Sequence, residues 1–71
     1  VSGGHLRKRS FRLAGHATSV ALEPAFWAAL EAIAARRGVS LAGLVAEADA
    51  ARDDAPLASA LRLLALAEAR G

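Results

Sequence analysis

The stretch from Thr18 to Ala48 most limits what this chain can become. Thr18-Ser19-Val20-Ala21-Leu22 alternates as a strand, Glu23-Pro24 opens a helix, Gly38 closes it, and Ser40 opens a second helix. One short strand leading into two helices cannot complete a sheet, because its edge N–H and C=O groups need partners. No later segment reads as a strand, so the chain reads as half of something. Size points the same way. A chain of 71 residues without cysteine is one domain, in the range where a single core supplies only about 3–5 kcal/mol unless a staple or second chain helps. Its 55% hydrophobic content is inflated by alanine, which favours helix but buries little area. Dimerisation is the remedy this composition leaves open.

Charge is distributed unevenly. Arg7, Lys8, Arg9 and Arg12 all precede Ala17 with no acidic residue among them, so the body that follows is net negative although the whole chain carries +2. A basic arm on a mildly acidic helical body suits a polyanion such as nucleic acid. The plainer reading of the same residues is a solubilising tail. No apolar run approaches the roughly 18 residues of a membrane span, and no apolar h-region follows the basic residues, so a cytoplasmic protein of bacterial type is expected.

Along the chain, residues 1–5 offer little to bury and are expected to be mobile. Phe11 and Leu13 are apolar at odd positions, whereas Thr18, Val20 and Leu22 are the inward set at even positions. Strand side chains alternate faces, so this change of parity requires a turn or bulge near Gly15-His16. Either an upstream strand hinges at Gly15 or an arm folds back over the ribbon. Pro24 suits the first turn of a helix, and Phe26, Leu30, Ile33 and Ala34 follow on one face with Trp27 and Ala29 flanking. Arg36 and Arg37 complement the helix C-terminus, with Gly38 as its left-handed exit. Ser40 caps the next helix, which presents Leu41, Leu44, Val45 and Ala48; Gly43 leaves room for close backbone approach. After a break at Arg52 to Pro56, a third helix should run from near Leu57 to Ala69. Leu57, Leu61 and Leu64 share one face, but Leu66 lies almost opposite Leu64 and Leu63 to one side. Such a helix is expected to pack on its own chain and on a partner at once.

Together, Thr18 to Pro24, Phe26, Leu30, Ile33, Gly38-Val39-Ser40 and Val45 resemble the ribbon-helix-helix family, the fold of the Arc and Met repressors. The likeness is closest to a bacterial subgroup with a basic Arg-Ser-Phe…Gly-His lead-in and an extra C-terminal helix. It implies a mainly α fold with one short strand and three helices per chain, joined as an intertwined homodimer by an intermolecular antiparallel two-stranded ribbon. Residues 1–16 would then be a basic, partly flexible or extended arm, 17–54 the ribbon-helix-helix core and 55–71 the C-terminal helix. The shared dimer core would comprise Thr18, Val20, Leu22, Phe26, Trp27, Leu30, Ile33, Leu41 and Val45. The resemblance further implies that the outward ribbon positions, Ala17, Ser19 and Ala21, face bases in the major groove of double-stranded DNA. Backbone amides of Ser40, Leu41 and Ala42 would clamp a phosphate. Arg7, Lys8, Arg9 and Arg12 would add further phosphate contacts. The family usually has longer polar side chains at the outward positions. Here only Ser19 can hydrogen-bond to a base.

A transcriptional regulator is the resulting expectation, with no enzyme activity, no cofactor and no metal. His5 and His16 lack further ligands at metal-binding spacing, and no glycine-rich loop follows a strand. The rival reading is an antitoxin-like or adaptor module that engages a protein partner through the C-terminal helix.

Overall fold

A computed structural model describes residues 5–70. The mobility expected of residues 1–4 lies outside that range. The parity change is explained by a hairpin. Strand β1, Arg7–Leu13, pairs antiparallel with β2, His16–Leu22, and Leu13 faces His16 across Ala14 and Gly15. Both turn residues have positive φ, 52° at Ala14 and 83° at Gly15. That is the type I′ pattern, whose twist matches that of the two strands it joins. With a two-residue turn, each odd position on β1 faces an even position on β2. Phe11 and Leu13 therefore share the inward face with Thr18, Val20 and Leu22.

The family resemblance implies one strand per chain, and two are present; of the two outcomes the residues leave open, the upstream strand hinged at Gly15 is the one observed. The lead-in conceals its alternation because Arg7 and Arg9 occupy inward register positions opposite Leu22 and Val20. Arg9 is accommodated there by stacking 5.0 Å from the Trp27 ring and by an ion pair with Glu31 at 2.8 Å.

Helix α1, Pro24–Arg37, starts with its proline in the first turn and ends at Gly38, with φ of 70°. The Gly38 and Val39 amides donate back to the carbonyls of Ala35 and Ala34, which satisfies the exposed end of the helix. Its buried face is Trp27, Leu30, Ile33 and Ala34, with Phe26 half-buried at the side. The order of the two aromatics is thus the reverse of that expected. Trp27 goes under β1, packs against Phe11 at 5.9 Å between ring centroids, and donates its indole N–H to the Arg7 carbonyl at 2.8 Å.

Helix α2, Leu41–Ala51, is capped by Ser40, whose hydroxyl accepts from the Gly43 amide at 2.9 Å. A Cβ on Gly43 would lie 3.2 Å from that hydroxyl, so the glycine gives the cap its space. Helix α3, Leu57–Arg70, packs on α1, α2 and β2. It presses Leu57, Leu61 and Ala65 inward, leaves Leu64 half-buried, and exposes Leu63 and Leu66. Val20, Leu22, Trp27, Leu30, Ile33 and Val45 are buried within this one chain, and Thr18, Phe26 and Leu41 are half-buried. The third helix supplies the wall behind residues that the sequence assigns to a shared core.

Candidate functional site

The hairpin has a face turned away from every helix. Lys8 faces Ala21, Ser10 faces Ser19, and Arg12 faces Ala17. Lys8, Ser10, Arg12, Ala17 and Ser19 are exposed, and Ala21 is half-exposed. The Ser10 and Ser19 hydroxyls meet at 3.0 Å, and either can be the donor. Among the described residues Arg12 reaches only the Gly15 carbonyl, at 3.5 Å, a distance at which a hydrogen bond is weak. Lys8 makes no ion pair among the described residues. The result is an acid-free strip with a hydroxyl pair at its centre and a cation toward each end.

Three of these residues, Ala17, Ser19 and Ala21, are where the sequence places them. Lys8, Ser10 and Arg12 are not foreseen on this face. The long polar groups that β2 lacks stand on β1, opposite the two alanines. A sequence signal for this exists in the alternation Lys8, Ser10, Arg12, but using it requires the turn length.

The family model described as a ribbon-helix-helix domain matches residues 6–69. The chain belongs to the ribbon-helix-helix domain family. A solved structure, that of an uncharacterized protein from Bordetella pertussis Tohama I, is similar to it at 38% identity and a TM-score of 0.77. That likeness covers 90% of this chain and 55% of that one, so the chain spans about half the length of its structural relative. No curated protein matches. Members of the family generally bind DNA, as regulators or antitoxins.

Of the residues that the family resemblance assigns to phosphate, Ser40 spends its hydroxyl on the Gly43 amide. Leu41 and Ala42 sit in the first turn of α2, where amides lack intrahelical acceptors and favour an anion. The register separates the basic residues: Lys8 and Arg12 face outward, while Arg7 and Arg9 belong to the inward positions. Arg7 is nevertheless exposed at the open end of the hairpin.

Electrostatic ties hold the frame beneath the strip. Arg62 of α3 donates twice to a Glu23 carboxylate oxygen, at 3.0 and 2.9 Å, and lies 5.7 Å from the Phe26 ring. A backbone hydrogen bond at Glu23 and this guanidinium hold the Glu23 pKa below its ordinary value. Arg37 and Arg36 do the same for Glu68, joining α1 to α3. An open groove of about 490 Å³ runs between α2 and α3. Leu44, Ala48, Ala51 and Leu64 line it, Leu63 stands at its edge, and Arg37, Glu47 and Arg52 rim it.

Proposed function

We propose that this chain is a duplex-DNA-binding transcriptional regulator, acting as a cytoplasmic homodimer without catalysis. In this reading the outer face of the hairpin enters the major groove, which accepts a two-stranded ribbon. The amides at the start of α2 and the exposed Arg7 meet flanking phosphates. The observation that carries the reading is the outer strip itself: Lys8, Arg12 and two serines with no carboxylate on the face. Family membership supports it, since such domains typically dimerise and bind DNA.

The intermolecular ribbon anticipated from the sequence needs an edge of β2 for the partner's β2. In the single chain one edge of β2 pairs with β1, and among the described residues no strand lies on the other. A homodimer paired at that other edge keeps the hairpin intact, and sedimentation of the free protein measures the number of chains directly.

The test of DNA binding is titration of random-sequence duplex at two salt concentrations. Affinity should fall steeply with added salt as counterions are released from the duplex. Binding that is absent at low salt, or indifferent to salt, refutes the proposal.

A second reading rests on a separate observation. Leu63 and Leu66 are 65% and 51% exposed, on a helix whose other face is fully used. An antitoxin-like or adaptor role would place a protein partner over these leucines and the adjoining groove. Co-purification of a second protein species that Leu63→Asp abolishes would favour it.

A further inference from the structure

We infer that Lys8 is a modification site, acylated by a phosphate-bearing activated acyl donor, and that the charge lost in this way weakens binding to duplex DNA. The second half rests on the DNA-binding reading above; the first half does not.

Lys8 is the only lysine in the chain, and the other cationic side chains are all arginines. An arginine meets a phosphate at least as well as a lysine does and keeps its charge, whereas the lysine amine can be acylated. This one side-chain amine is also placed where it can react. Lys8 is exposed on the outer face of the hairpin with only the small Ala21 opposite, and among the described residues it is held in no ion pair. By contrast, Arg9, Arg36, Arg37, Arg52 and Arg62 are each tied to a carboxylate. An ammonium locked to a carboxylate must leave that partner before its nitrogen can attack. Lys8 has none to leave.

The surroundings select the donor. Exposed Arg7 precedes Lys8, and Ser10 follows two residues along the same face, about 7 Å away at the usual rise, with Arg12 beyond it. No carboxylate stands on this face. Acetyl phosphate and acetyl-coenzyme A both carry phosphate groups, and a one-signed cluster of this kind raises encounter rates with an anion by roughly 10-fold or more. Lys8 Nζ, having given one proton to water, attacks the acyl carbonyl carbon. A C–N bond forms, and the bond from that carbon to the phosphate oxygen or the coenzyme sulfur breaks. The leaving group takes the electron pair, and the nitrogen sheds its second proton to water. The product is a neutral amide, so the outer face keeps Arg12 as its cation and loses the other.

The experiment exposes the full chain to acetyl phosphate, to acetyl-coenzyme A and to the uncharged N-hydroxysuccinimidyl acetate, and follows each site by peptide mass spectrometry. Ala50→Lys supplies a reference lysine at an exposed position on the net-negative helical body. One or both phosphate-bearing donors should label Lys8 about 10-fold faster than the lysine introduced by Ala50→Lys, and which of them does so identifies the source. The uncharged ester should not discriminate between the two sites. Equal labelling by both phosphate-bearing donors, or the same preference from the uncharged ester, overturns the inference. Duplex affinity is then compared with each protein's own untreated sample. Treatment with the preferred donor should cost the wild type about fivefold at about 0.15 M salt for each chain that loses a phosphate contact. It should leave treated and untreated Lys8→Arg, which has a cation but no amine at this position, alike. An affinity that survives Lys8 acetylation, or a loss that persists in treated Lys8→Arg, overturns the inference and leaves the DNA-binding reading standing. No duplex retained by the untreated wild type at low salt overturns that reading and the second half of the inference with it, while the labelling ratio decides the first.

Discussion

The outer face of the hairpin and the outer edge of α3 are both surfaces that the core does not use, and their chemistry is opposite. Among the described residues, the hairpin face offers two unpaired or weakly held cations and two hydroxyls on a backbone held by cross-strand pairing. The α3 edge offers Leu63 and Leu66 beside an apolar groove, whose rim charges are matched internally: Arg37 to Glu47 and Glu68, Arg52 to Asp49. Free charge at one surface and neutralised charge at the other mean that salt should distinguish them. Screening weakens contacts made by exposed cations, whereas burial of leucine is little affected or strengthened.

The comparison depends on the core between the two surfaces, so the largest expected effect is loss of both. Val20→Asp places a carboxylate at a position only 3% exposed and should abolish folding, seen as loss of the cooperative thermal transition by circular dichroism. A cooperative transition in that variant would show that the chain does not fold around this core.

Next is the salt test of separate surfaces. If about four phosphates are neutralised, raising salt from about 50 to 200 mM should cut duplex affinity by roughly 100-fold. Replacing Arg7, Lys8, Arg9 and Arg12 together by alanine should flatten the dependence. Leu63→Asp should leave the slope alone, and a changed slope in that variant would mean that the two surfaces are coupled.

Two smaller effects probe the scaffold under each surface. Ala14 adopts a left-handed conformation, φ of 52°, in the first position of the hairpin turn. Asparagine tolerates that conformation better, and Ala14→Asn should stabilise the protein by about 1 kcal/mol in urea unfolding. Under α3, Glu23 and Glu68 have pKa values lowered from 4.5 by their hydrogen bonds and arginine partners. A carboxylate with a depressed folded-state pKa adds stability above its unfolded-state value, and that stability is lost as pH falls through the folded-state value. Denaturant midpoints should therefore decline below about pH 4.5. Arg62→Gln should shrink the part of this decline due to Glu23, and an unchanged profile would remove Arg62 from the account.

Much of the fold is legible in the sequence because its signals are local. Alternation in Thr18, Val20 and Leu22, Pro24 at a first turn, Gly38 at an exit and Ser40 at a cap each depend on a few neighbouring residues. The other strand is less so. Its inward positions include Arg7 and Arg9, and an arginine can occupy such a position only when something like the Trp27 ring and Glu31 receives it. Glu31 lies 22 residues along the chain from the arginine it holds. The outer face suffers the same limit. Ala17, Ser19 and Ala21 follow from the alternation of β2, but Lys8, Ser10 and Arg12 join them only after the Ala14-Gly15 turn fixes the register. Burial of the expected dimer core inside one chain depends on where Leu57, Leu61 and Ala65 dock, which helical periodicity alone does not specify.

The short turn also changes the kinetic order of assembly. A ribbon built from two chains forms by collision, so its yield depends on protein concentration. A ribbon closed through Ala14 and Gly15 forms in a first-order step whose loop is as short as a hairpin allows, the type of local contact that folds fastest. The outer face of the hairpin therefore exists before any second chain is met.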